Sequence, residues 1–148
     1  MLTFIVHPRF VFTVGGVLSG LGKGITTASV GLLLKSAGYK VTCIKIDPYV
    51  SIDAGTMRPA EHGETFVTAD GGEIDQDLGH YERFLNQDLT RHNNITTGKV
   101  FQAVIDAERH FQYAGRDAEM FPDVINEIKA QIFRVIKNED IVLVEIGG

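Results

Sequence analysis

The residues with the clearest chemistry lie in the run Gly15-Gly16-Val17-Leu18-Ser19-Gly20-Leu21-Gly22-Lys23-Gly24-Ile25-Thr26-Thr27. Glycines let a backbone curl so that several N–H groups point inward, which is how a loop cradles phosphate oxygens. Lys23 adds a full positive charge for the outer phosphates, and a helix behind the loop would add the partial positive charge of its N-terminus. The run departs from the common phosphate loop G-x-x-x-x-G-K-[ST]. Five residues rather than four separate Gly16 from Gly22, and Gly24 stands where a Ser or Thr hydroxyl would meet Mg2+. A metal at such a loop must be held by carboxylates from elsewhere, with Thr26 or Thr27 as helpers.

Mg2+ takes a few carboxylates and keeps several waters. In parallel α/β sheets ligands collect at the carboxyl ends of the strands. Glu145 follows Ile-Val-Leu-Val and Asp47 follows Lys40–Ile46, so both sit at such ends. Asp70, Glu73, Asp75 and Asp77 crowd one further segment, and alternation through Glu73-Ile-Asp75-Gln-Asp77 would put three of them on one side of an extended chain. Spacing does not choose among them. Lys45 interrupts an apolar run and so needs a phosphate or an acidic partner. His62, His80 and His92 show no metal-ligand spacing.

These groups need elements to position them. Phe10–Val14 reads as a buried strand, and Ile25–Ala37 as a helix with Val30, Leu33, Leu34 and Ala37 on one face. Gly38 stops that helix, and Lys40–Ile46 is the second strand. Strand, glycine-rich turn, helix and strand form a βαβ unit, which implies a parallel sheet. Asp47–Gly79 is rich in Gly and Pro, with only Glu64–Thr68 and Glu73–Asp75 as extended pieces; a segment of this kind is often functional. His80–Leu89 is a short helix. Thr97 caps another carrying Val100, Phe101, Val104, Ile105 and Glu108, and Pro122 opens a third with the stripe Val124, Ile128, Ile132 and Val135. Ile141–Ile146 is the third convincing strand. The chain stops just after it, so further strands are expected and the domain reads as incomplete at its C-terminus.

The composition agrees. The chain has 148 residues, 44% of them hydrophobic, which is one ordinary domain with a core. Its net charge of −5 argues against a broad nucleic-acid surface. The single cysteine, Cys43, sits in an apolar run and reads as an inert core thiol in a reducing compartment. No apolar run is long enough to span a membrane, and the opening MLTFIVHPRF lacks the parts of a secretion signal, so a cytoplasmic protein is expected.

Several segments resemble the CTP synthase family. Gly15–Gly24 is similar to that family's phosphate loop. Lys-Ile-Asp-Pro-Tyr-Val-Ser-Ile-Asp-Ala-Gly-Thr-Met-Arg-Pro (45–59), His-Gly-Glu-Thr-Phe-Val-Thr (62–68), Asp-Leu-Gly-His-Tyr-Glu-Arg-Phe (77–84), Asn-Asn-Ile-Thr-Thr-Gly (93–98) and Val-Glu-Ile-Gly-Gly (144–148) continue the likeness, in order, from Phe10. The resemblance implies a P-loop-type parallel sheet with flanking helices, Rossmann-like and dethiobiotin-synthetase-like. Residues 1–148 would be part of the ATP-binding synthase domain, with the glutaminase domain absent.

The implied reaction is ATP-dependent amination of UTP to CTP in pyrimidine biosynthesis, with ammonia drawn from glutamine. Gly20, Leu21, Gly22, Lys23, Gly24 and Ile25 would contact ATP, together with Asp77. Asp77 and Glu145 would hold Mg2+. Ser19 would touch the UTP or CTP phosphates, Lys45 would join Lys23 at the reacting phosphates, and His62 would lie near the entry of ammonia. A homo-oligomer, a tetramer in the family, is implied, with no nucleic-acid or membrane partner. A non-catalytic ATP–Mg2+-binding relative, or a partner of a full-length enzyme, is the alternative; another ATP-dependent ligase of the dethiobiotin synthetase type is a third.

The chain departs from the family pattern at Asp117-Ala118-Glu119, at Asp123 after Pro122, at Phe111, at Ser51 and at Val14. The changes over 111–123 bear on the pyrimidine nucleotide more than on ATP.

Overall fold

A computed structural model of the chain describes residues 8–16 and 20–148, so the contact expected of Ser19 lies outside the described residues. The fold is α/β. Four parallel strands form the central sheet: β1 (Arg9–Thr13), β2 (Val41–Asp47), β5 (Asn94–Thr96) and β6 (Ile141–Ile146), in the order β1-β6-β2-β5. The crossover helix α1 (Lys23–Ser36) therefore joins two strands that are not neighbours, because β6 inserts between them. A two-stranded antiparallel hairpin, β3 (Thr65–Val67) with β4 (Glu73–Asp75), stands apart from the sheet.

Alternation along the strands divides the core between the two faces of the sheet. Val41 and Cys43 of β2 and Ile141 and Leu143 of β6 pack with α1 and α3 (Asp77–Leu85) through Ala28, Leu78, Tyr81 and Leu85. Ile44, Val142 and Val144 face the other way, against α4 (Thr97–Arg109) and α5 (Ile125–Val135). Following the first face upward gives Lys45 and Asp47 after Val41 and Cys43, and Glu145 after Ile141 and Leu143. The same period that builds the core thus turns charged at the carboxyl ends of the strands.

Several expectations need correction. The strand β5 was not anticipated: Ile95 is its one apolar residue, between Asn94 and Thr96, yet all three are buried. The Asn93 amide donates to the Cys43 carbonyl at 2.8 Å and the Asn94 amide to Asp47 at 2.9 Å, so side-chain hydrogen bonds hold it together with the buried Ile95. On α1 the fully buried residues are Gly24, Thr27, Ala28 and Gly31; of the expected stripe, Val30 and Leu34 pack half-buried against the core while Leu33 and Ala37 are exposed. Leu33 is 69% exposed, because a helix wedged between the sheet and α3 must turn its small residues inward. A β-carbon on Gly31 would already lie 3.0 Å from Leu85 and 3.2 Å from Leu143.

The helix expected at His80–Leu89 begins earlier and spans α3. The cap of α4 is Thr96 rather than Thr97; its hydroxyl accepts from the Lys99 N–H at 3.1 Å. Pro122 lies in a wide turn, and α5 starts only at Ile125. The long segment after Asp47 holds the short helix α2 (Pro59–His62) as well as the hairpin. Cys43 is fully buried, and burial first, then Glu145, pushes its thiol up to about 12. Among the described residues no helix is long and apolar enough to cross a membrane.

Candidate functional site

The phosphate-loop glycines serve two different physical ends. Gly20 and Gly22 sit in left-handed backbone, at φ of 79° and 80°, with open space where a β-carbon would stand. They are glycines for conformation, and Gly22 forms the N-cap of α1. Gly24 is a glycine for space, since a β-carbon there would collide with the carboxylate of Asp77. The Lys23 ammonium donates to the Gly15 carbonyl at 3.2 Å. The two threonines offered as metal helpers divide: Thr27 is buried and its hydroxyl donates to Thr13 at 2.9 Å, while Thr26 is exposed.

Gly20, Leu21, Gly22, Lys23, Gly24 and Ile25 line one cleft of about 540 Å³ at the carboxyl ends of the strands. Lys45, Asp77 and Glu145 line the same cleft from β2, α3 and β6. Every expected site residue within the described part of the chain is therefore in one place. Asp47, His62 and Asp75 join them.

Lys45 organises the acids. It lies opposite Glu145 in the β2–β6 register. Its ammonium pairs with Asp77 and stands 3.2 Å from Glu145, 3.6 Å from Asp75 and 3.9 Å from Asp47. Burial alone would push this lysine down, but Asp75, Asp47, Asp77 and Glu145 outweigh it and hold it above its ordinary value. Of the two partners expected for Lys45, the acids are the ones it meets in this structure. Burial raises the Asp77 carboxyl, yet Lys45 and then His80 more than reverse this and leave it lowered. Asp47 goes the other way: burial dominates Lys45 and lifts it to about 6.

Four carboxylates around one ammonium leave an excess of negative charge in a largely buried space. Buried charges are stable only when compensated. Asp77 and Glu145 already converge on a single cation, the Lys45 ammonium, and the bare Gly24 gives the Asp77 carboxylate its place. That donor set of hard oxygens fits Mg2+.

Neighbours hold the acids in place. The Tyr81 hydroxyl donates to Glu145 Oε2. His80 Nδ1 lies 3.5 Å from Asp77 Oδ1, and His62 Nε2 3.2 Å from Asp75 Oδ2. Asp47, His62 and Asp75 present ligand atoms within 4.8 Å of one another. No spacing in the sequence pointed to this grouping, because its members come from β2, α2 and β4. The advance signals were separate ones: Asp47 ends a strand, and Asp75 stands in the acid-rich run. Asp70 and Glu73, which spacing had grouped with Asp75 and Asp77, lie elsewhere. Asp70 binds Thr68 and Arg91, and Glu73 packs over Gly55. His92 is exposed on another face.

The departures over 111–123 do not line the cleft. Phe111, Asp117 and Ala118 border a separate hollow with Arg116. Asp123 receives a two-pronged contact from Arg116 at 2.6 and 2.7 Å and the Glu119 N–H at 2.9 Å, with Arg116 first in holding its carboxyl down to about 2.

A family profile described as "CTP synthase N-terminus" matches residues 9–148. The chain is 59% identical over 140 residues to the CTP synthase of Pyrococcus horikoshii, a match covering 95% of this chain and 26% of that protein. It is 58% identical over 140 residues to that of Methanocaldococcus jannaschii, with the same coverage. Against that of Thermus thermophilus it is 57% identical over 145 residues, 96% of this chain and 26% of the relative. The chain thus spans about a quarter of the length of these relatives. A glycine loop, an opposed Lys–Glu pair and a parallel sheet, matched along nearly the whole chain at this identity, place it in the CTP synthase family, within the N-terminal part.

Proposed function

We propose that this chain is the ATP-binding front of a synthase that aminates UTP to CTP. On this reading Gly20–Ile25 wrap the phosphates of ATP and Lys23 meets the outer ones. Asp77 and Glu145 would hold Mg2+, which would supply positive charge to offset that of the phosphate oxygens. Lys45 then faces the phosphoryl group that moves to the uracil 4-oxygen, and ammonia displaces it as phosphate. Such a transfer asks the protein mostly for positioning and charge neutralisation. Ser19 is assigned to the pyrimidine nucleotide phosphates and His62 to the ammonia entry. Glutamine hydrolysis belongs to the remaining length of the relatives, and assembly of this chain into a homo-oligomer is part of the same reading.

The observation that carries this reading is the convergence of Lys23, Lys45, Asp77 and Glu145 on the one cleft that the glycine loop borders. Calorimetry with Mg2+ and a non-hydrolysable ATP analogue tests it. The chain should bind, and Lys23→Ala should lose that binding; equal affinity in the variant would sink the assignment. A second reading, ATP–Mg2+ binding without amination, draws on Asp123, which departs from the family pattern and is satisfied by Arg116. Conversion of UTP, ATP and ammonia to CTP by the chain would exclude it.

A further inference from the structure

We infer that Tyr81 is a positioning residue that fixes Glu145 so that only its Oε1 can meet a cation in the cleft. The inference rests on the Mg2+–ATP reading above. Glu145 is 1% exposed and its two oxygens have separate partners. Oε2 accepts from the Tyr81 hydroxyl, while Oε1 faces Lys45 at 3.2 Å. Tyr81 is itself fully buried among Leu78, Leu85 and Cys43, so neither side chain can turn without breaking this contact.

The placement follows from one helix. Asp77 opens α3 and Tyr81 lies four residues later, one turn on. The first supplies a carboxylate to the cleft, and the second locks the carboxylate of β6. His80 between them approaches Asp77. α3 therefore sets both acids at once, in the way that outer partners of metal ligands orient them.

The test is Mn2+ affinity, read by electron paramagnetic resonance of the free ion, with a non-hydrolysable ATP analogue present. The unaltered chain should bind Mn2+, and Tyr81→Phe should weaken it about tenfold or more at a temperature where circular dichroism shows it folded. In a Glu145→Gln background the Tyr81→Phe change should add nothing. No Mn2+ binding by the unaltered chain overturns the cleft reading and this inference with it. Normal binding that Tyr81→Phe leaves within twofold, or an equal loss in the Glu145→Gln background, overturns the inference alone. If Tyr81→Phe fails to fold, 3-fluorotyrosine placed at position 81 serves instead. Its fluorine resonance should move when Mg2+ is added with the analogue, and a static signal beside measured binding overturns the inference.

Discussion

The carboxylate of Asp77 occupies the space that a side chain on Gly24 would fill. In the common phosphate loop that space belongs to a hydroxyl that reaches Mg2+. Here a residue far along the chain, held by Lys45, takes the same place. The missing hydroxyl is therefore a condition for the arrangement: Gly24 must stay bare for Asp77 to enter.

Gly24→Ala should then separate function from stability. Alanine favours a helix over glycine by about 1 kcal/mol, and the side chain it displaces can rotate, so unfolding free energy should change by no more than about 1–2 kcal/mol. Mg2+-dependent binding of an ATP analogue should fall about tenfold or more. Gly24→Ser, which restores the usual hydroxyl, should not rescue it. Calorimetry showing that the serine variant binds as well as the unaltered chain would contradict this account.

Lys45 lies within ion-pair distance of all four acids. Removing one partner of a buried ion pair costs about 3–5 kcal/mol, so Lys45→Met should lose stability of that order in urea denaturation at pH 7. Millimolar Mg2+ should recover more of it in the variant than it adds to the unaltered chain. An identical Mg2+ response in both would show that Mg2+ does not enter this group of acids.

The strands were the most legible part of the chain. β6 has the bounds its apolar run announces, and β1 and β2 fall within a residue of theirs. Apolar alternation fails where burial is achieved by hydrogen bonds or by small side chains, which is why β5 and the inner face of α1 escaped it. The site divides in the same way. The glycine loop is contiguous and visible. The acids are not: Asp70, Glu73, Asp75 and Asp77 look alike in sequence, but only Asp75 at the end of β4 and Asp77 at the start of α3 reach Lys45, while Asp70 precedes β4 and Glu73 opens it. His62 joins the cleft through α2, a four-residue helix with no periodic signal of its own.

Gly98 gives a second case in which space decides. A β-carbon there would run into the carbonyl oxygens of Val50 and Ser51, and backbone cannot swing aside. The same loop is tied to α4 through Thr96, whose hydroxyl donates to the Ile52 carbonyl at 3.0 Å. Gly98→Ala should therefore cost about 2–4 kcal/mol, and Thr96→Ala, which removes both cap and tether, about 1–2 kcal/mol. Urea denaturation of Gly98→Ala with an unchanged midpoint would mean that the loop yields freely.

Asp47 predicts a pH dependence with a definite sign. Burial lifts its carboxyl from the ordinary 3.8 to about 6, with Lys45 and the Asn94 amide offsetting only part of the effect. Between those values the folded chain keeps a proton that the unfolded chain has released. The stability this contributes is fully present below about pH 4 and is lost as pH rises through about 6. At about 1.4 kcal/mol per pH unit the window is worth on the order of 2–3 kcal/mol. Asp47→Asn has no such proton and can still accept from the Asn94 amide. Its unfolding free energy relative to the unaltered chain should therefore rise by about 2 kcal/mol between pH 4 and pH 7, then level off. A difference that stays constant across that window would mean that Asp47 is ionised in the fold at low pH, and that Lys45 rather than burial governs it.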